Sequence, residues 1–210
     1  MATIGSPAAK PFKPGPAGTY HYTVTSQGGS VPPTSTLVVS PPQGTRQTTT
    51  MSASNGTSDV LTLDYRPDGV YFVNVETVTK QAPYPAFRED LKPVSGPVRV
   101  MRTGMQPGEH VTFEVASSDA SATVMFSMYG LTTVSVAGKN VLALRVQFSS
   151  ANLSGRSGAV PFKNAGFDAV LWLAPTNGVP YRVERDFTAI ALEQTFSTHY
   201  TATLTSTKPQ

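Results

Sequence analysis

The sequence predicts an all-β domain. We expect one strongly curled antiparallel sheet of roughly ten to twelve strands, a half-barrel or open barrel, with a β-sandwich as the alternative. Three observations predict it. Apolar and polar residues alternate with period two in segment after segment; Pro-Asp-Gly, Ala-Gly-Lys-Asn and Pro-Thr-Asn-Gly punctuate those segments; and no apolar stretch keeps a helical period for the length of an ordinary helix. The clearest case runs from Val60 to Thr79. Leu61, Leu63 and Tyr65 alternate with Thr62, Asp64 and Arg66, and after Arg66-Pro67-Asp68-Gly69 the alternation resumes with Tyr71, Val73 and Val75. Proline presets φ early in a turn and glycine supplies φ > 0 at its end, so the stretch reads as a hairpin.

Taken in order, residues 1–18 are rich in Pro, Gly, Ala and Ser and suit a flexible tether, with a single domain over residues 19–210. From Thr19, Tyr20, Tyr22 and Val24 share one face of a first strand. Thr36 to Ser40 forms a short second strand, broken by Pro41-Pro42, which cannot donate to a ladder. Arg46 to Ala53 is a polar strand, expected at an edge and open to β-augmentation by a partner. Gln81 to Pro97 holds four prolines and predicts a long loop with at most one irregular strand around Phe87. Val98 to Met101 is short. Val111, Phe113 and Val115, then Val124, Phe126 and Met128, mark a further pair, and Leu142, Leu144, Val146 and Phe148 the strand after the Ala137-Gly138 turn. Ser149 to Phe167 reads as a flexible connection. Ala169 to Ala174 (AVLWLA) is a strand covered on both sides; Tyr181, Val183 and Arg185 pair back, and Phe196, Thr198, Tyr200, Ala202 and Leu204 share a face of the last strand.

Composition excludes several classes. Only 14% of residues are charged and the net charge is +3, with the arginines scattered singly, which argues against nucleic acid. Without cysteine there is no disulfide framework, thiolate nucleophile or Cys-ligated zinc. No run approaches the roughly 18 apolar residues of a membrane-spanning helix. His21, His110 and His199 sit on separate segments without partners at ligand spacing. Gly155-Arg156-Ser157-Gly158 lacks the strand-to-helix setting of a nucleophile elbow. Glu184 and Asp186 share a face, but Arg182 and Arg185 beside them read as a charged outer surface. We therefore expect no enzyme, metal or cofactor. The opening segment favours an extracytoplasmic location.

The carboxy-terminal half carries a resemblance. Its marks are Gln106-Pro107-Gly108-Glu109 before an alternating strand, an Ala-Gly turn before Val141 to Val146, and AVLWLAPTNGVPYRVE from Ala169 to Glu184. This pattern resembles uncharacterised bacterial envelope β proteins that are similar to the outer-membrane lipoprotein carriers and the mycobacterial lipid-binding half-barrels. The resemblance implies a curled antiparallel sheet with an apolar mouth. Such a sheet predicts a non-catalytic binding module of the cell envelope for a lipid or other apolar ligand, with Tyr71, Phe126, Trp172 and Phe196 on its concave side. The alternative is a structural or protein-interaction domain with a filled core and an envelope protein as partner.

Overall fold

The computed structural model describes residues 12–27, 31–79, 87–157, 160–191 and 193–210. Thirteen strands form one sheet: β1 (Gly18–Gln27), β2 (Thr34–Val39), β3 (Arg46–Ala53), β4 (Ser58–Arg66), β5 (Gly69–Thr79), β6 (Phe87–Pro93), β7 (Val98–Arg102), β8 (His110–Ala116), β9 (Ala120–Val136), β10 (Lys139–Ser157), β11 (Val160–Leu173), β12 (Pro180–Ala191) and β13 (Gln194–Leu204). Every pairing is antiparallel, and no helix occurs among the described residues. Because β4 also pairs with β5, the sheet closes on itself as a twelve-strand barrel, with β7 as an extra strand on β5. Closure removes the open edges that a curled sheet would otherwise expose.

The ring is thin at one place. β6 meets β8 through only Lys92↔Ala116 and Pro93↔Val115, supplemented by the Val94 N–H donating to the Glu114 carbonyl at 3.0 Å. Proline 93 has no N–H to give, so the ladder cannot run on. Here Ser117 Oγ donates to the buried carboxylate of Glu89, tying β6 to the turn after β8.

Side chains alternate across the wall, and the cross-strand register identifies which face is inside. Leu61 and Leu63 on β4, Val70 and Phe72 on β5, Phe113 and Val115 on β8, Val124, Phe126 and Met128 on β9, and Leu144 and Val146 on β10 gather in one core. Its centre is aromatic: the Phe72 ring lies 5.5 Å from Phe113 and 6.5 Å from Phe148, and Phe126 meets Phe148 edge-on at 4.9 Å. A second core collects Tyr20, Tyr22, Leu37, Val39, Ala202 and Leu204 with Val134, Val136 and Ala143. Ala143 and Leu144 are neighbours, so β10 buries opposite faces in the two cores. The β9–β10 ribbon is long enough for right-handed twist to turn its other face inward, and a bulge at Tyr129–Gly130, where Gly130 takes φ 93°, adds to that twist.

Residues 12–17, read from the sequence as part of the tether, run across the barrel instead. Phe12 enters the first core, the Lys13 N–H donates to the Thr176 carbonyl, and the Gln47 side-chain amide both accepts from the Gly15 N–H at 2.7 Å and donates to the Gly15 carbonyl at 2.8 Å. A Cβ on Gly15 would stand 3.0 Å from Val179, so the β11–β12 turn lies against the same segment. Residues 1–11 lie outside the described residues.

Two expectations about local structure are corrected. β3 is no edge: it pairs with β2 on one side and β4 on the other, and its polar Gln47 is buried, held by Gly15 and Ser40. Polar composition marked a strand that supports the barrel end, not one that ends a sheet. The supposed flexible connection Ser149 to Phe167 is largely paired, since β10 continues to Ser157 and β11 starts at Val160. Backbone ladders need partners rather than oily side chains, and the long neighbouring strand β9 helps to supply them.

Asp64, on the outer side of β4 yet only 4% exposed, anchors this part of the wall. Burial pushes its carboxyl up, but hydrogen bonds from Thr45 and Arg66 and the charges of Arg66 and Arg46 outweigh burial and hold it below its ordinary value. A carboxylate with a lowered folded-state pKa stabilises the fold above the unfolded pKa and loses that contribution as pH falls through the folded one. Asp64→Asn should therefore be less stable than the parent at pH 7, and the gap should narrow below about pH 4. Urea midpoints measured from pH 7 to pH 2 test this; a constant gap would refute it.

Candidate functional site

The four residues expected to line a concave side do not share a face. Phe126 points inward and is fully buried against Phe148. Tyr71 is paired with Asp64 on the outer side of β5, where its hydroxyl donates to Asp68 at 2.7 Å and the Arg66 guanidinium lies 4.1 Å over its ring. Trp172 also faces away from the first core, opposite Arg145 and Arg182, and is half-buried against the second core. Phe196 sits on β13 opposite Ala189, and its side chain lies outside the described residues. The reason for Tyr71 is a bulge: the β4–β5 register shifts between Thr62 and Leu63, so Phe72 and Val75, three apart, both face inward. The run AVLWLA had no alternation from which Trp172 could be placed.

On the outer wall Trp172 is the centre of a cation–aromatic row. The Arg145 guanidinium lies 4.7 Å from the Tyr129 ring and 5.7 Å from Trp172, and Arg182 lies 5.0 Å from Trp172 on the other side. Glu184 holds Arg182. Rows of this kind are worth about 0.5–2 kcal/mol per contact and fix the ring.

Further along the same strands the wall is indented. β9 and β10 part between Met125↔Ser149 and Ser121↔Ser154; β10 and β11 shift between Ser150 and Gly155; β11 and β12 shift between Lys163 and Gly166. Three irregularities at one height open a groove of about 480 Å³. Gly155 ends the parting: a Cβ there would stand 2.4 Å from the Asp119 carbonyl, so only glycine lets β10 return to β9 so closely. The groove is lined by Asp168, Asp186, Ser149, Asn152 and Met125, while Ser150 and Phe167 beside it are paired on the inner face, Phe167 against the first core.

Its polar groups are incompletely satisfied. Asp168 and Asp186 stand directly opposite each other on β11 and β12, an arrangement that costs stability through like-charge repulsion. Asp168 accepts from the Gln147 side-chain amide at 2.5 Å through one oxygen, while its other oxygen is buried without a partner. Asp186 contacts His199 Nδ1 at 2.7 Å. Ser150, on the inner face opposite Phe167, is 7% exposed, and its Oγ has no hydrogen-bond partner. Sequence reasoning left all three histidines unpartnered; the structure sets His199 against Asp186, while His21 and His110 are exposed. The groove escaped the sequence reading because register shifts between neighbouring strands open it and because Ser149 to Phe167 looked unstructured.

The interior carries one charged group that the sequence reading put outside. Arg185 faces in from β12 and pairs with Asp59 of β4, on the far side of the barrel, and Thr77 also donates to Asp59 at 2.7 Å. The Asp59 charge, opposed by burial and helped by Tyr200, raises the Arg185 guanidinium above its ordinary value and keeps it protonated. Side chains on β12 alternate, so Arg182 lies outside and Arg185 inside.

No family model matches this chain, and comparison with curated proteins and with solved structures found no similar protein.

Proposed function

We propose that the chain is a non-enzymatic interaction module of the cell envelope, a filled β-barrel that engages a protein partner with its outer wall. The observation that carries this reading is the state of the interior. Phe72, Phe113, Phe126 and Phe148, at the positions an apolar ligand would need, contact one another, and Phe12 joins the same core. Close-packed rings leave no room for an acyl chain without rearrangement. The outer wall over β9–β12, in contrast, combines a fixed cation–aromatic row with a groove in which Asp168 and Asp186 face each other, the kind of surface on which polar recognition is built. The envelope location is carried over from the sequence resemblance alone.

Native mass spectrometry of the purified protein, with titration of Trp172 fluorescence by long-chain fatty acids, tests the reading. We expect a mass equal to the chain alone and no saturable change in emission. Co-purified lipid, or saturable quenching at micromolar fatty acid, would replace it with the apolar-ligand reading.

A further inference from the structure

We infer that Arg145, within the cation–aromatic row, receives a carboxylate from an acidic side chain of a partner polypeptide. This rests on the reading of the outer wall as the binding surface and names the chemistry that the surface recognises. From Arg46 on β3 to Arg185 on β12 the arginines of the barrel meet carboxylates; the exceptions among the described residues are Arg145 and the exposed Arg156. Arg145 differs from Arg156 in being held. Its guanidinium lies 4.7 Å from the Tyr129 ring and 5.7 Å from Trp172, and its Nε–H is buried without an acceptor. Across the same indole, Arg182 gives one Nη to Glu184 and likewise buries an Nε–H that has no acceptor. One carboxylate thus answers two guanidiniums in the row. A guanidinium donates and does not accept, so the group that completes Arg145 is an anion, and its flat pair of terminal Nη groups matches a carboxylate edge. The rings already fix the side chain, so little rotamer freedom is left to lose on binding. Beside it Tyr129 is 47% exposed, with its hydroxyl donating to Gln147, and offers a steady aromatic face. Tyrosine, tryptophan and arginine are the residue types on which binding energy at protein interfaces concentrates. Asp168 and Asp186 lie four residues along β11 and β12 from Trp172 and Arg182. That is roughly 13 Å at about 3.3 Å per residue, beyond the screening length of about 8 Å in physiological salt, so they do not cancel the attraction.

The test is a set of ¹⁵N NMR titrations of the full chain, in which Trp172, the single tryptophan, gives one indole signal. The probes are acetyl-Gly-Glu-Gly-amide, acetyl-Gly-Gln-Gly-amide, sodium acetate and sodium sulfate, all at one ionic strength. We expect the glutamate peptide to shift the indole signal and the amides of residues 129–130, 145, 172 and 182 saturably, and the glutamine peptide to leave them in place. Acetate and sulfate, which lack the stem and backbone that meet the Tyr129 face, should bind several-fold more weakly. Arg145→Gln should weaken the glutamate peptide by about tenfold or more, the scale of a lost charge-assisted hydrogen bond. Arg145→Lys keeps the charge and loses the planar fork, so it should weaken the peptide several-fold. Arg156→Gln should change nothing. Urea midpoints of the variants separate loss of the site from loss of the fold, and if Arg145→Gln does not fold, Arg145→Lys carries the comparison. Absence of saturable shifts, equal response to the glutamine peptide, or either Arg145 variant binding as the parent does would overturn the inference. Acetate or sulfate binding as tightly as the peptide would make this a small-anion site, which also overturns it. If the glutamate peptide is silent and fatty acids fail to bind, the outer-wall reading stands and only this contact is removed; if fatty acids bind, the parent reading falls first.

Discussion

Phe126→Ala is expected to destabilise the protein by about 3–5 kcal/mol, the cost of a buried phenylalanine plus the cavity it leaves. For a chain of this size each kcal/mol moves the melting midpoint by roughly 2–4 °C, so the fall should be roughly 6–20 °C. Phe126 is fully buried, and its ring meets Phe148 edge-on, in a cluster where Phe148 also touches Phe72 and Phe72 touches Phe113. The neighbours come from β5, β8 and β10, three separate parts of the wall, and cannot all relax into one gap. Val94→Ala is the control: Val94 is 65% exposed, and its truncation should change stability by less than about 0.5 kcal/mol. Thermal melts of both variants decide the matter. A Phe126→Ala protein that melts within a degree or two of the parent would mean that this interior is loosely filled, and would return weight to an apolar ligand inside the barrel.

Arg185→Met should cost about 3 kcal/mol, the low end of the range for breaking a buried ion pair, because water reaches 28% of the Arg185 side chain and 24% of Asp59. The substitution strands the Asp59 carboxylate inside the barrel with Thr77 as its remaining partner. Adding Asp59→Leu removes the stranded charge, so the double variant should recover most of the loss. A double-mutant cycle by urea denaturation reads this directly. Additive losses in the double variant would show that the two side chains act independently and that β12 and β4 are not tied across the lumen. The pair matters because it joins strands that are far apart in the ring, and it does so with a salt bridge in place of apolar contact.

The local grammar of this fold is legible in the chain itself. Alternation sorts Leu61, Leu63, Val115, Val124 and Leu144 to one side, and Pro67-Asp68-Gly69 and Ala137-Gly138 set turns that the structure keeps. At Gly69 a Cβ would stand 2.1 Å from the Met101 carbonyl, so the glycine read as a turn residue also lets β7 approach β5. Period two gives faces only while no residue is inserted. One bulge in β5 turned Tyr71 outward, and another, at Tyr181 of β12, stands beside the end of a strand already apolar on both sides.

What the sequence by itself determined is therefore the class of structure, extended chain sorted into an oily and a wet side, because side-chain direction and turn geometry are properties of neighbouring residues. Closure into a ring, the interior position of Arg185, and the indentation beside Asp168 and Asp186 were decided only by the tertiary structure. Closure and the Arg185–Asp59 pair depend on register between strands remote in the chain, and the indentation on register shifts among β9 to β12; register is the sum of twist, bulges and pairing, which no single segment encodes.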